Sequence, residues 1–145
     1  LIGGEESGGI GFRGHIPERD GMLANLILLE MLATTGKSIS QITAAIQKEF
    51  GASAYDRIDM QFPLEKRQQF IEGLGKNPPA GLLGSPLKEI KTYDGVKYIA
   101  ADDSWLMFRT SGTEPIIRIY SEASTPAKVK KLLELGKNLA RQVAG

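Results

Sequence analysis

Between residues 87 and 121 the chain alternates runs of β-favouring side chains with turn signals, and no other stretch restricts the fold so tightly. Residues 87–93 and 96–101 flank Asp94-Gly95, a strong signal for a tight hairpin. Residues 105–109 follow the turn Asp102-Asp103-Ser104, and residues 116–121 follow a polar loop. Upstream, residues 54–62 make a further candidate strand, with β-favouring side chains from Tyr55 to Phe62. Two helices belong with these strands. Pro63 suits a first helical turn, and Phe70, Ile71 and Leu74 mark the buried side before a breaker-rich stretch at 73–86. Thr125 caps the last helix, with Pro126 in its first turn. One face of that helix carries Val129, Leu132, Leu133, Gly136, Leu139, Ala140 and Val143; the other carries Lys128, Lys130, Lys131, Glu134, Lys137 and Arg141. The basic face reads as solvated rather than as a nucleic-acid contact. Residues 52–145 therefore read as a complete α+β domain, an antiparallel sheet of about four strands covered on one face by two helices.

The first third has a different texture. Residues 3–21 hold seven of the 17 glycines and show no periodicity, as a long loop would. Asp20 caps a helix that runs to Thr35 and stops at Gly36. Its apolar side chains (Met22, Leu23, Leu26 to Leu29, Met31, Leu32) lie nearly all the way round, so it requires burial on most sides. Ser38 and Gln41 form a capping-box pattern for a second helix, striped by Ile39, Ile42, Ile46 and Phe50 and ended by Gly51. Residues 1–36 are expected to be the helical tail of a preceding α/β domain, and 37–51 a connecting helix. The chain opens in mid-phrase on a glycine-rich acidic loop without a methionine, so it reads as part of something longer.

Composition narrows the functions. The 145 residues carry 18 Lys and Arg against 17 Asp and Glu, a net charge of +1 that argues against a nucleic-acid binder. Cysteine is absent, which excludes disulfides, thiolate metal sites and cysteine nucleophiles and fits a reducing, cytoplasmic setting. No apolar run reaches the ~18 residues of a membrane span, and no basic region opens a secretory signal. Membrane and nucleic acid are thus not expected partners.

The connection 110–115, Thr-Ser-Gly-Thr-Glu-Pro, is longer than a hairpin needs and is composed to receive an anion. Thr110, Ser111 and Thr113 offer hydroxyls, and Gly112 lets successive N–H groups turn into one concavity. Arg109 at the mouth can engage two phosphate oxygens through its planar fork, and Arg118 adds a second charge. The competing reading is a polar surface loop whose arginines pair with Glu114 and Glu122. Residues 3–9, Gly-Gly-Glu-Glu-Ser-Gly-Gly, place carboxylates and a hydroxyl on unhindered backbone, which suits vicinal sugar hydroxyls. A flexible acidic loop is the plainer alternative; as an acid–base pair the adjacent Glu5 and Glu6 need not face the same way, and a metal site lacks a supporting carboxylate or histidine cluster. His15, the only histidine, is a candidate proton carrier or phosphate contact.

The two loops together resemble the α-D-phosphohexomutase family, which includes phosphoglucomutase, phosphomannomutase and phosphoglucosamine mutase. The resemblance rests on GGEESGG followed by HIPERDG, and on RTSGTEPIIRIYSEA beginning at Arg109. It covers essentially the whole chain, from the end of the family's third domain through its fourth. It implies a TATA-box-binding-protein-like C-terminal domain, with Glu5 and Ser7 on sugar hydroxyls and Arg109, Thr110, Ser111, Gly112, Thr113 and Arg118 on the phosphate not being transferred. In the family's mechanism, as the resemblance implies it, an enzyme phosphoserine donates its phosphoryl group to a sugar monophosphate. The hexose bisphosphate then reorients and returns its other phosphate.

Departures from the family pattern set further expectations. Many relatives carry histidine where this chain has Gly9, and His15 is the available substitute. The phosphoserine loop and the Asp-rich magnesium loop of the family have no counterpart here. The fragment alone is therefore expected to hold no catalytic serine and no metal, and to be inactive without the N-terminal domains. Glu6 resembles glucose-processing members, so glucose phosphate is the favoured substrate and mannose phosphate the next. A non-catalytic phospho-ligand module is the alternative from another class; an interaction domain using the basic helix ranks last.

Overall fold

A computed structural model describes residues 2–5, 8–112 and 114–144. The chain divides into two compact units, residues 1–50 and 51–145. The second helix, set apart by sequence as a connection, is grouped with the first unit.

In the first unit, β1 (Ile2–Gly4) pairs antiparallel with β2 (Ile10–Phe12), Gly4 opposite Ile10. Helix α1 (Gly21–Thr35) starts where Asp20 Oδ1 accepts the Leu23 N–H at 3.0 Å and stops at Gly36 in the left-handed region. Helix α2 (Ile39–Phe50) opens with both arms of a capping box. Gln41 Oε1 accepts the Ser38 N–H at 2.9 Å, and Ser38 Oγ accepts the Gln41 N–H at 3.3 Å. The apolar surface of α1 stays open: Met22 is 80% exposed, and only Ala24 is buried. A three-residue hairpin and one helix supply too little surface to cover a helix that is apolar all round. Among the described residues no single helix is long and apolar enough to cross a membrane.

The second unit is built on a six-stranded antiparallel sheet, against about four strands expected: the five strand segments placed in sequence are all present, and one short strand is added. In chain order its strands are β3 (Ala54–Gln61), β4 (Gly81–Leu82), β5 (Ser85–Lys91), β6 (Val96–Ala100), β7 (Trp105–Thr110) and β8 (Ile116–Ala123). In space the order is β3-β8-β7-β6-β5-β4. The short β4 lies inside the breaker-rich stretch, where Gly81 and Leu82 fold back on Pro86 and Ser85 through Leu83 and Gly84, both at positive φ. Two residues are too few to show an alternation in sequence.

Strand alternation puts Ile117 and Ile119 of β8, Leu106 and Phe108 of β7, and Val96 and Tyr98 of β6 on one buried face. Helices α3 (Arg67–Lys76), entered through a short turn at Leu64–Lys66, and α4 (Pro126–Ala144) contribute the other half of the core. Phe70 meets Phe62 and Phe108 with ring centroids 5.0 and 5.6 Å apart. Val129, Leu132, Leu133 and Ala140 are buried as the helical spacing requires; the Val143 side chain lies outside what the structure describes. Thr125 Oγ1 accepts the Lys128 N–H at 3.2 Å and caps α4.

Candidate functional site

The same alternation that fills the core sets the two arginines of the phosphate-type loop. Phe108 and Ile119 are cross-strand partners on the helix side, so the next pair, Arg109 and Arg118, emerges directly opposite each other on the other face. Like charges in direct register repel, and each guanidinium is matched by carboxylates. Arg109 Nε is 3.3 Å from Asp94 Oδ1; Arg118 Nη2 is 3.5 Å from Glu114 Oε2, and its Nε is 3.7 Å from Asp59 Oδ2. Among the described residues, Arg118 Nε is buried without a hydrogen-bond partner.

The loop between them is folded by its own polar groups. Ser111 Oγ accepts the Glu114 N–H at 3.1 Å, and the Ser111 N–H donates to the Ile116 carbonyl at 3.2 Å. This places Gly112 at the exposed tip. Thr113 lies outside the described residues. Thr110 goes the other way. It pairs with Ile117 on the helix side and lines a cleft of about 410 Å³ with Leu64, Arg67 and Ile71. The predicted phosphate set is therefore divided, with Arg109 and Arg118 on the open face, Ser111 and Gly112 in the loop, and Thr110 on the helix side.

Arg67 escaped the sequence reading. At the start of α3 its Nε donates to the Leu64 carbonyl at 3.1 Å, and its Nη1 donates to the Ser111 carbonyl. One guanidinium thus ties the loop to the helix. A basic residue in a first helical turn gives no signal in sequence, since most such residues are solvated.

In the first unit the acidic loop closes on itself. The Glu5 N–H donates to the Gly9 carbonyl at 2.9 Å, and the Gly8 N–H to the Glu5 carbonyl at 3.0 Å. Glu6 and Ser7 lie outside the described residues. Glu5 Oε2 is held 2.8 Å from Arg19 Nη1, and Arg19 Nε is 3.3 Å from Glu18 Oε1. A β-carbon at Gly9 would stand 2.4 Å from Arg19 Cδ, so the missing side chain at this position is what lets Arg19 cross to Glu5. The backbone N–H and guanidinium of Arg19 hold the Glu18 carboxyl below its usual range. A recess of about 590 Å³ is lined by Glu5, Gly9, Phe12, Arg13 and Arg19 among others. His15 pairs with Asp20, Nε2 to Oδ2 at 2.8 Å, beside the cap of α1. The Leu23 N–H, and then His15, lower the Asp20 pKa. Among the described residues no three His, Asp or Glu side chains gather as a metal site would require.

Comparison with known proteins gives both units one origin, within a class of sugar-phosphate mutases. A family model described as phosphoglucomutase/phosphomannomutase, alpha/beta/alpha domain III, matches residues 1–50, and the model of that family's C-terminal domain matches residues 40–135. The chain belongs to the phosphoglucomutase/phosphomannomutase family. It is 37% identical, over 97% of its length, to a phosphoglucomutase/phosphomannomutase of Thermococcus kodakarensis, of which it spans 28%. It is 32% identical over 98% of its length to a probable phosphoglucosamine mutase of Thermococcus gammatolerans, spanning 30% of that protein. A crystal structure of a family protein from Burkholderia thailandensis shares the fold, with a TM-score of 0.68 at 21% identity over 98% of this chain and 28% of that one.

Proposed function

We propose that this chain supplies the phosphate-binding and sugar-binding elements of a phosphohexomutase that interconverts hexose 1-phosphate and hexose 6-phosphate. The observation that carries the reading is the register pair Arg109–Arg118 flanking a Ser-Gly loop. Two planar guanidinium groups can clamp a phosphate monoester by charge-assisted bonds, each contributing about 1.5–3 kcal/mol. Ser111, Gly112 and Thr113 would complete the cradle; Thr110 would act from the helix side. Glu5, oriented by Arg19, would accept bonds from sugar hydroxyls together with Ser7. His15 would serve as an auxiliary group.

In this reading the phosphoserine that exchanges phosphate with a hexose bisphosphate, and the magnesium that supports the transfer, belong to segments this chain does not contain. The family's chemistry depends chiefly on positioning and on charge stabilisation. A loop that must accept a phosphate in two substrate orientations is suited by hydroxyls and backbone amides. The open apolar surface of α1 supports packing against the N-terminal part of a longer protein. Glucose phosphate is the favoured substrate and mannose phosphate the next, on the resemblance at Glu6. The fragment alone is inactive in this account, and the complete protein is a cytoplasmic phosphoenzyme.

Amide NMR titration with glucose 1-phosphate tests it, with inorganic phosphate and glucose as controls. Shifts at 109–118 with both phosphate compounds, abolished by Arg109→Ala, are expected. Added shifts at 4–9 with glucose 1-phosphate alone would place the sugar contacts. Unchanged resonances at 109–118 in millimolar glucose 1-phosphate would refute the phosphate cradle.

A further inference from the structure

The arginines of the phosphate cradle are already engaged by carboxylates, and one of these is fixed in place by the fold. Asp94 sits in the β5–β6 hairpin, whose last paired residues are Lys91 and Lys97. Gly95, with φ +91°, presses this turn onto β7: a β-carbon there would stand 2.1 Å from the Phe108 carbonyl oxygen and 3.3 Å from Arg109 Cα. No other residue type permits that approach. The turn therefore carries the Asp94 carboxylate to Arg109, 3.3 Å from Nε.

The wider face repeats the pattern. Asp59 is shared between Arg57, 3.3 Å away, and Arg118, while Glu114 reaches Arg118 from the loop itself. Among the described residues these ion pairs set three arginines against three carboxylates. A phosphate dianion entering this cluster adds two negative charges beside Asp94 and Glu114.

We infer that Asp94 is a built-in competitor for Arg109, pairing with its guanidinium at Nε and yielding it to substrate phosphate. The inference rests on the phosphate-cradle reading above. Its consequence is a cradle that binds phosphate more weakly than its arginines alone would allow. For an enzyme whose bound intermediate must let go of one phosphate and present the other, weaker holding at this end permits exchange. Removing the charge while keeping the turn, in Asp94→Asn, should then tighten phosphate binding. With a unit charge a few ångströms from a dianion at a solvated surface, the gain is about 3- to 10-fold at low salt and shrinks as salt is added.

The experiment is titration of the 145-residue chain with inorganic phosphate, followed by amide NMR, for the wild type, Asp94→Asn, Glu134→Gln and Arg109→Ala. The amide spectra also report whether each variant keeps the fold. Glu134 lies on α4, paired with Lys137 at 2.7 Å, and its neutralisation changes net charge without touching the cradle. Tighter binding in Asp94→Asn alone establishes the competitor. Equal or weaker binding in Asp94→Asn, with binding lost in Arg109→Ala, overturns it and leaves the cradle standing. Equal tightening in Glu134→Gln overturns it as well, since net charge would then account for the gain. Absence of binding in both wild type and Asp94→Asn refutes the cradle, and the competitor with it.

Discussion

Gly136 offers a direct test of how closely α4 packs on the sheet. A β-carbon added there would stand 2.7 Å from Ile119 Cγ2, 3.2 Å from Leu106 Cδ1 and 3.5 Å from Phe108 Cε1. Gly136→Ala therefore sets opposing effects against each other. In a helix interior alanine is favoured over glycine by about 0.8–1.0 kcal/mol. Burying one further methyl adds about 0.8 kcal/mol. Overpacking a filled core costs about 1–3 kcal/mol. Here the upper end applies, because Ile119, Leu106 and Phe108 are fully buried and have no solvent to move into. Ile119 is β-branched, so its Cγ2 cannot retreat without moving β8. The balance is a net loss of about 1 kcal/mol, the overpacking cost exceeding the two gains. For a domain of this size that lowers Tm by about 4–8 °C, measured by circular dichroism on the 145-residue chain. Because Phe108 and Ile119 adjoin Arg109 and Arg118, the same substitution should weaken phosphate binding. A variant as stable as the wild type, or more so, would refute the packing argument.

Arg67→Ala removes the tie between α3 and the Ser111 carbonyl; phosphate binding should weaken about 10-fold or more, the loss of one charge-assisted bond, in the same NMR titration. Tyr98 is buried in the core, and its hydroxyl donates to the Leu74 carbonyl at 2.8 Å. Tyr98→Phe leaves that acceptor unpaired, at about 1–3 kcal/mol by urea denaturation. Burial pushes the Tyr98 hydroxyl up to about 12. A raised pKa contributes stability that is complete below the unfolded value near 10 and is lost as pH rises through 12, so alkaline melts should fall over that window and flatten in Tyr98→Phe. The Lys128 ammonium, and then Ser104, hold the Asp102 carboxyl well below the usual carboxylate range. That contribution is complete above about pH 4 and is lost as pH falls further, a small effect at this exposed pair that Asp102→Asn should remove from acid melts.

What the sequence disclosed and what it withheld divide along the range of the interactions. Local chemistry was legible: the Asp20 and Thr125 caps, the Ser38–Gln41 box and the hairpin around Asp94-Gly95 depend on residues a few positions apart. The structure adds the facing of that strand: Leu106 and Phe108 turn inward, which puts Arg109 outward. The Arg67–Ser111 tie joins residues 44 positions apart and depends on where α3 enters the sheet. Likewise, in sequence Gly9 is only a departure from relatives; in the fold, Arg19 passes through the space it leaves. Thr110 adjoins the phosphate-type hydroxyls in sequence, while the two-residue period of the strand turns it to the helix side.

The direct opposition of Arg109 and Arg118 has a consequence for how the protein matures. A slip of one residue between β7 and β8 would do more than separate the two cations. It would turn a guanidinium toward the space now held by Phe108 or Ile119, where an unpaired charge is untenable. The errors that would spoil the cradle thus also spoil the core, so a misassembled cradle cannot hide inside a native-looking domain. Cellular surveillance that detects only loose or exposed core would, for the proposed phosphate cradle, act as proofreading.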